Sequence, residues 1–240
     1  MSSAPLLLLP GLLCDAAVWR EVVPALGRLS CTVPSFAHRD SIAAMARDVL
    51  DAAPQARFSL VGHSMGARVA MEVVRLAPQR VARLALLDTG LDPLAPGADG
   101  ERERAQRQAL LDVARREGMR ALGLRWAPGM VLPAHREAPV FEQILQMIER
   151  RTPEEFAAQI RALLGRPDAR ATFSDIRCPT LIGCGRQDAW SPLERHEQMH
   201  ALLPGSRLAV FDGAGHMAPM EQPAAVAQAL RAWLADGAAH

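Results

Sequence analysis

Short apolar runs alternate with amphipathic stretches along the first part of the chain. Pro5 to Leu9 contains four consecutive leucines and stops at Pro10-Gly11, which reads as a buried strand ending in a tight loop. Asp15 to Leu29 places Val18, Trp19, Val22, Val23 and Leu26 at helical spacing, so a helix is expected there. Cys31 to Phe36 reads as a second strand, and Ser41 to Ala53 as a helix with Ser41 at its N-cap. Phe58 to Val61 gives a third strand, Ala67 to Leu76 a helix and Val81 to Leu87 a fourth strand. This alternation predicts a mostly parallel sheet with helices on both faces, the α/β class.

The pattern changes after Asp88. Asp92-Pro93 and Pro96-Gly97 mark loops, and Glu101 to about Leu164 reads as charged, amphipathic helices with no strand among them. Strand character returns at Thr180 to Ile182 and at Leu208 to Phe211, and Ala224 to Ala235 closes the chain as a helix. Residues 93–172 are therefore expected to form a helical cap inserted into a core made of 1–92 and 173–240. No internal repeat or low-complexity segment is present.

With 240 residues, half of them hydrophobic, the chain is long enough for one sizeable domain with an insertion. A net charge of +1 and the absence of any long run of one sign give no support for nucleic-acid or anionic-membrane binding. Glu101-Arg102-Glu103-Arg104 reads as a solvated helix face. No lysine occurs, which excludes Schiff-base chemistry, pyridoxal phosphate and a Walker A site. Tyrosine and asparagine are also absent, removing several side-chain oxyanion donors. Cys14, Cys31, Cys178 and Cys184 form no C-x-x-C pair and no zinc-site spacing, so reduced thiols and no metal are expected. Met1-Ser2-Ser3-Ala4-Pro5 lacks the basic segment of a signal peptide, and no stretch is long enough to span a membrane. A cytoplasmic location is the resulting expectation.

Chemistry concentrates in Gly62-His63-Ser64-Met65-Gly66, between the third strand and its helix. A serine between two glycines at a strand-to-helix junction is the pattern of a nucleophile elbow. A serine hydroxyl needs a base, most often a histidine oriented by a carboxylate. Two loops that follow predicted strands supply them: Gly185-Arg186-Gln187-Asp188 and Gly213-Ala214-Gly215-His216. In open parallel sheets, functional groups collect at the carboxyl ends of the strands. Asp188 is the favoured acid, with Asp88 its main rival; Asp212 is tethered too close to His216. His63 is expected to pack inside the elbow, and His38, His135, His196 and His200 have no matching strand-end position.

These motifs resemble those of the α/β-hydrolase fold superfamily, specifically its small capped carboxylesterase-like members. The similarity includes the Leu9-Pro10-Gly11-Leu12 loop, the elbow, the G-x-x-D turn, Arg166-Pro167-Asp168 and the G-H-M-x-x-M-E-x-P segment at 215–223. The resemblance implies a Ser64–His216–Asp188 catalytic triad and an oxyanion hole made by the backbone N–H groups of Leu12 and Met65. The family usually carries histidine where Pro10 stands. Leu13, Trp126, Met130, Phe141, Trp190 and Met217 are candidate substrate-pocket residues, with Met119 and Met147 as further wall candidates. Arg68, Arg125 and Arg136 are considered for an acidic substrate group, with surface roles favoured.

The expected activity is hydrolysis of a small carboxylic ester, lactone or thioester through an acyl-enzyme, with a small-molecule acyl substrate and no cofactor. The alternative is a serine-triad lyase or C–C bond hydrolase of the same fold acting on a small acidic metabolite. Relatives of those kinds commonly use an asparagine or lysine that this chain lacks, though a proton-abstracting lyase remains open. Dehalogenases and epoxide hydrolases need aspartate at the elbow. A non-catalytic binding module is a third reading.

Overall fold

The computed structural model describes residues 4–53 and 55–236, with only the backbone of Ser174. Met1, Ser2 and Ser3, part of the N-terminal segment read as lacking the basic residues of a signal peptide, lie outside them. Six strands, β1 (Leu6–Leu9), β2 (Cys31–Thr32), β3 (Phe58–His63), β4 (Val81–Leu87), β5 (Thr180–Gly185) and β6 (Arg207–Phe211), form one sheet. Their order is β2-β1-β3-β4-β5-β6, and every pairing is parallel. All residues of β1, β3 and β5 are buried, which explains their continuous apolar character: helices cover both faces.

Register brings the functional loops to one edge. Leu9 is opposite Gly62, His63 is opposite Leu87, and Leu87 is opposite Gly183. The loops after β1, β3, β4, β5 and β6 therefore open at the same end of the sheet.

The helices are α1 (Val22–Ala25), α2 (Ile42–Ala52), α3 (Met65–Leu76), α4 (Gly97–Glu117), α5 (Met119–Trp126), α6 (Pro139–Glu149), α7 (Pro153–Leu164), α8 (Arg170–Asp175), α9 (Leu193–Leu202), α10 (Ala218–Glu221) and α11 (Pro223–Ala235). On α2, the Ser41 hydroxyl caps by accepting the Ala44 N–H at 3.2 Å. Helices α2 and α3 pack together, as do α1 and α11. Between β4 and β5 the described residues contain α4 to α8, short 3₁₀ turns and no strand. In this segment α5 packs on α4 and α6, and α7 packs on α4. Thr152 and Glu155 cap α7 reciprocally, each side chain accepting the other's backbone N–H. Among the described residues, no helix is long and apolar enough to cross a membrane.

Two predicted elements are shorter than their patterns suggest. Asp15 to Leu29 yields a 3₁₀ turn at Ala16–Trp19 and the single turn α1. Pro24 has no N–H and crowds the carbonyl four residues back, so one long helix cannot run through it. The apolar face still packs: Val18, Trp19 and Val22 are fully buried. The second strand stops at Thr32, because Pro34 cannot donate to a ladder. The elbow helix starts at Met65, two residues earlier than its apolar spacing indicated.

Candidate active site

Ser64 links β3 to α3 at φ 53°, ψ −114°, a backbone conformation that side-chain-bearing residues rarely adopt. The surrounding packing holds it there. Its N–H donates to the Leu87 carbonyl at 2.9 Å, and the Thr89 hydroxyl donates to its carbonyl at 3.1 Å. The flanking glycines are steric requirements. A Cβ on Gly62 would stand 2.4 Å from the Ala67 Cα, and one on Gly66 would stand 2.1 Å from the Leu9 carbonyl oxygen. A Cβ on Gly11 would stand 2.9 Å from His63 Nδ1 and 3.3 Å from the Ser64 Cβ, so the loop after β1 can lie against the elbow only as glycine.

His216 follows β6 and meets the serine from the other side. Its Nε2 is 2.9 Å from Ser64 Oγ, and its Nδ1 is 2.8 Å from Asp188 Oδ2. With an ionised carboxylate at Nδ1, that nitrogen carries the proton and Nε2 is the acceptor facing the hydroxyl. Asp188 is itself fixed: its Oδ1 accepts the N–H groups of Trp190 and Ser191 at 2.8 and 2.9 Å. Burial pushes the Asp188 carboxyl up, but the His216 ring and these two amides outweigh it and hold it below its ordinary value. The arrangement can move a proton from a hydroxyl to a buried, oriented imidazole.

Asp88, the rival acid, is brought close but not into contact with His216. It is fully buried at the end of β4, and its Oδ1 accepts the Gly185 N–H at 2.9 Å. Its Oδ2 has no hydrogen-bond partner and lies 3.7 Å from His63 Nε2. Burial, reinforced by the charge of Asp188, raises its carboxyl well above the ordinary range. His63 packs inside the elbow, its Nε2–H donating to the His216 carbonyl at 2.8 Å. Burial and the neighbouring His216 push it down to about 3, so it stays neutral. His196 lies under the loop after β4, where its Nε2 accepts the Thr89 N–H at 2.9 Å and its Nδ1–H donates to the Pro192 carbonyl.

Glu221 is a functional neighbour that the sequence reading passed over except as a motif letter. Its Oε2 accepts the Gly215 N–H at 2.8 Å, while its Oε1 accepts the Leu132 N–H at 2.9 Å and lies 2.8 Å from His135 Nδ1. The His216 N–H donates to the Met130 carbonyl at 2.7 Å. The loop bearing the imidazole is thus tied to the segment between α5 and α6.

A cavity of about 830 Å³ opens over Ser64 and His216. Of the predicted wall residues, Trp126, Met130, Met147, Trp190 and Met217 line it, as does Leu12 of the expected oxyanion loop. Trp126 and Trp190 stack at 5.4 Å between ring centroids, and Trp190 lies 5.0 Å from the His216 ring. Leu13, Met119 and Phe141 do not line it. Leu13 is fully buried with its N–H donated to Gln159 Oε1 at 2.9 Å, and Phe141 packs against the core. Ile144, Ile148 and Phe156 line the cavity without having been singled out, because wall and core positions on a helix share one apolar period. Arg68 lines it, as do Arg107, Arg166, Arg170 and Arg195, whereas Arg125 pairs with Glu117 and Arg136 donates to the Pro128 carbonyl. Burial pushes the Cys14 thiol, also in the wall, up to about 12, which makes it a poor nucleophile. Among the described residues, no group of His, Cys, Asp or Glu could hold a metal ion.

A family model described as "Alpha/beta hydrolase family" matches residues 6–229. Among curated proteins, the chain is 29% identical to the pimeloyl-[acyl-carrier protein] methyl ester esterase of Photobacterium profundum, over 94% of this chain and 92% of that one. Among solved structures, it is similar to a thermophilic esterase from Thermogutta terrifontis, with TM-score 0.85 and 31% identity over 97% of this chain and 90% of that one. It shares its fold with the enol-lactonase of Burkholderia xenovorans LB400, with TM-score 0.83 and 22% identity over 96% and 91% of the two chains.

Proposed function

The chain belongs to the alpha/beta hydrolase family, and from that premise we propose that it hydrolyses a small carboxylic ester, lactone or thioester through an acyl-enzyme on Ser64. The observation that carries this reading is the continuous hydrogen-bonded path from Ser64 Oγ through His216 to Asp188 Oδ2, at 2.9 and 2.8 Å. Esterases among the similar proteins support the same reaction type.

In acylation, Ser64 Oγ attacks the substrate carbonyl as its proton passes to His216 Nε2. Asp188 stays ionised and stabilises the resulting imidazolium. The N–H groups of Leu12 and Met65 receive the oxyanion: both residues line the cavity beside Ser64, and Met65 is the first residue of α3, where amides lack helical partners. The Leu13 amide is occupied by Gln159 and takes no part. Collapse of the tetrahedral intermediate returns the proton from His216 to the leaving alcohol or thiol. A water, deprotonated by His216, then attacks the acyl carbon and releases the acid. Helices of the 93–172 segment act as the cap, and the apolar wall around Trp126, Met130 and Met217 receives the substrate's hydrocarbon part.

Ser64→Ala removes the attacking atom and tests the assignment. It should lower kcat/KM for p-nitrophenyl butyrate by about 10⁴–10⁶-fold, with an unchanged circular dichroism spectrum. A variant retaining most of the activity overturns this function.

A further inference from the structure

The cavity over Ser64 has a second, charged end. Apart from Asp88 at the Ser64 end, five arginines and three carboxylates line the cavity: Arg68, Arg107, Arg166, Arg170 and Arg195 against Asp92, Glu103 and Asp168. The carboxylates are already engaged. Glu103 is shared, forming a bidentate pair with Arg166 at 2.8 and 2.9 Å and accepting from Arg107 Nε at 2.9 Å. Arg170 pairs with Asp92 and lies 4.0 Å from Asp168. Among the described residues, Arg68 and Arg195 have no carboxylate partner.

Both remaining guanidinium groups are placed by the fold. Arg68 is four residues beyond Ser64 on α3, about 6 Å along the helix axis. Its Nη1 donates to the Asp92 carbonyl at 3.0 Å, which directs the head along the wall. Arg195 comes from α9 and passes beside Gly90, where a Cβ would stand 2.5 Å from its Cδ. Gly90 is therefore the residue that lets this side chain enter the cavity. Two cations lining one cavity repel each other, and for Arg68 the charges of Asp92 and Glu103 offset only part of that repulsion and of the hydration lost on burial. Burial first, and then the charges of Arg166 and Arg195, push Arg68 down to about 9. An anion between them relieves both costs, and a guanidinium fork matches a planar carboxylate.

We propose that Arg68 and Arg195 form a carboxylate subsite, so that the preferred substrate is an ester bearing a free carboxylate a short methylene spacer away from the scissile carbonyl. This rests on the hydrolase reading for its chemistry, but the binding site stands on its own geometry. The carboxylate is unchanged in the reaction; it anchors the substrate while Ser64 attacks the ester. It is carried either by the acyl chain or by the alcohol.

Two matched pairs of esters separate those sources: mono-p-nitrophenyl adipate against p-nitrophenyl hexanoate, and 4-acetoxybutyrate against butyl acetate. At least one charged ester should exceed its neutral partner in kcat/KM by about tenfold or more. That ratio should fall about tenfold in Arg68→Gln and in Arg195→Gln. Arg195 has no ion pair to lose, so its variant keeps the test open if Arg68→Gln fails to fold. Equal rates in both pairs, or a ratio unmoved by both variants, overturn the proposal. If no ester is turned over, the hydrolase reading has failed and calorimetry with adipate decides the subsite alone. Adipate should bind the wild-type protein, bind Arg195→Gln about tenfold more weakly, and outcompete neutral adipamide. Equal binding of adipate and adipamide, or no binding of either, refutes the subsite.

Discussion

Asp88 and Asp188 differ in what surrounds them, and that difference decides their chemistry. Both follow strands of the same sheet and both are buried. Asp188 meets an imidazole and two amides, which favour its charge; Asp88 meets one amide and the field of Asp188, and burial disfavours its charge. Asp188→Asn should therefore lower kcat by about 10⁴-fold, the loss seen when such a carboxylate is neutralised. Asp88→Asn alters a side chain that accepts the Gly185 N–H and makes no hydrogen bond to His216, and kcat should stay within about tenfold. Steady-state kinetics with p-nitrophenyl butyrate check both; the reverse ranking would make Asp88 the acid. The sequence favoured Asp188 but left Asp88 as its rival, because both sit at strand ends after the elbow. The side-chain partners distinguish them further. Ser64 and His216 were legible for the opposite reason: glycines that steric contact requires flank the serine, and a strand and a glycine turn precede the histidine.

At the scale of elements, the candidate site depends on one short helix. Glu221 in α10 holds the Gly215 amide with one oxygen and the Leu132 amide with the other. Glu221→Ala leaves both amides without their acceptor, at about 1–3 kcal/mol each. The melting temperature should drop, and kcat should fall more than KM rises, because the loop that carries His216 keeps only its Met130 tie to the segment between α5 and α6. A KM-only effect would contradict a positioning role. Strands β1, β3, β4 and the elbow helix followed from apolar period and glycine placement. Helix α9 did not, since its Leu193–Leu202 sequence buries only His196 and Met199 and shows no strong apolar stripe. Helix α1 was over-extended, because the apolar period continues through Pro24 while the hydrogen bonding cannot.

For the molecule as a whole, two buried neutral histidines set the response to acid. His63 and His196 are pushed by burial from 6.5 to about 3 and about 4. Unfolded, both bind protons near pH 6.5; folded, they resist until much lower pH. Their contribution to stability is thus complete above about pH 6.5 and is lost as pH falls toward 4 and 3, on the order of a few kcal/mol in all. Asp188, lowered below 3.8, adds its loss only at the acid end of that range. Asp88, raised, works in the opposite sense and offsets part of the loss, so comparison with a histidine variant isolates the imidazole. Protonating His196 also breaks its bond from the Thr89 N–H beside the elbow. Thermal melts between pH 7 and pH 4 should show a steeper decline for the wild type than for His196→Gln; parallel curves would exclude His196 as a contributor.

The most direct measurement is covalent. An alkyl fluorophosphonate reacts with a serine activated by the His216–Asp188 relay, losing fluoride and leaving a phosphonyl group on the oxygen. Peptide mass spectrometry should find one adduct per chain, on Ser64, absent in Ser64→Ala and formed orders of magnitude more slowly in His216→Ala. No adduct, an adduct on another residue, or unchanged labelling in His216→Ala would contradict the account.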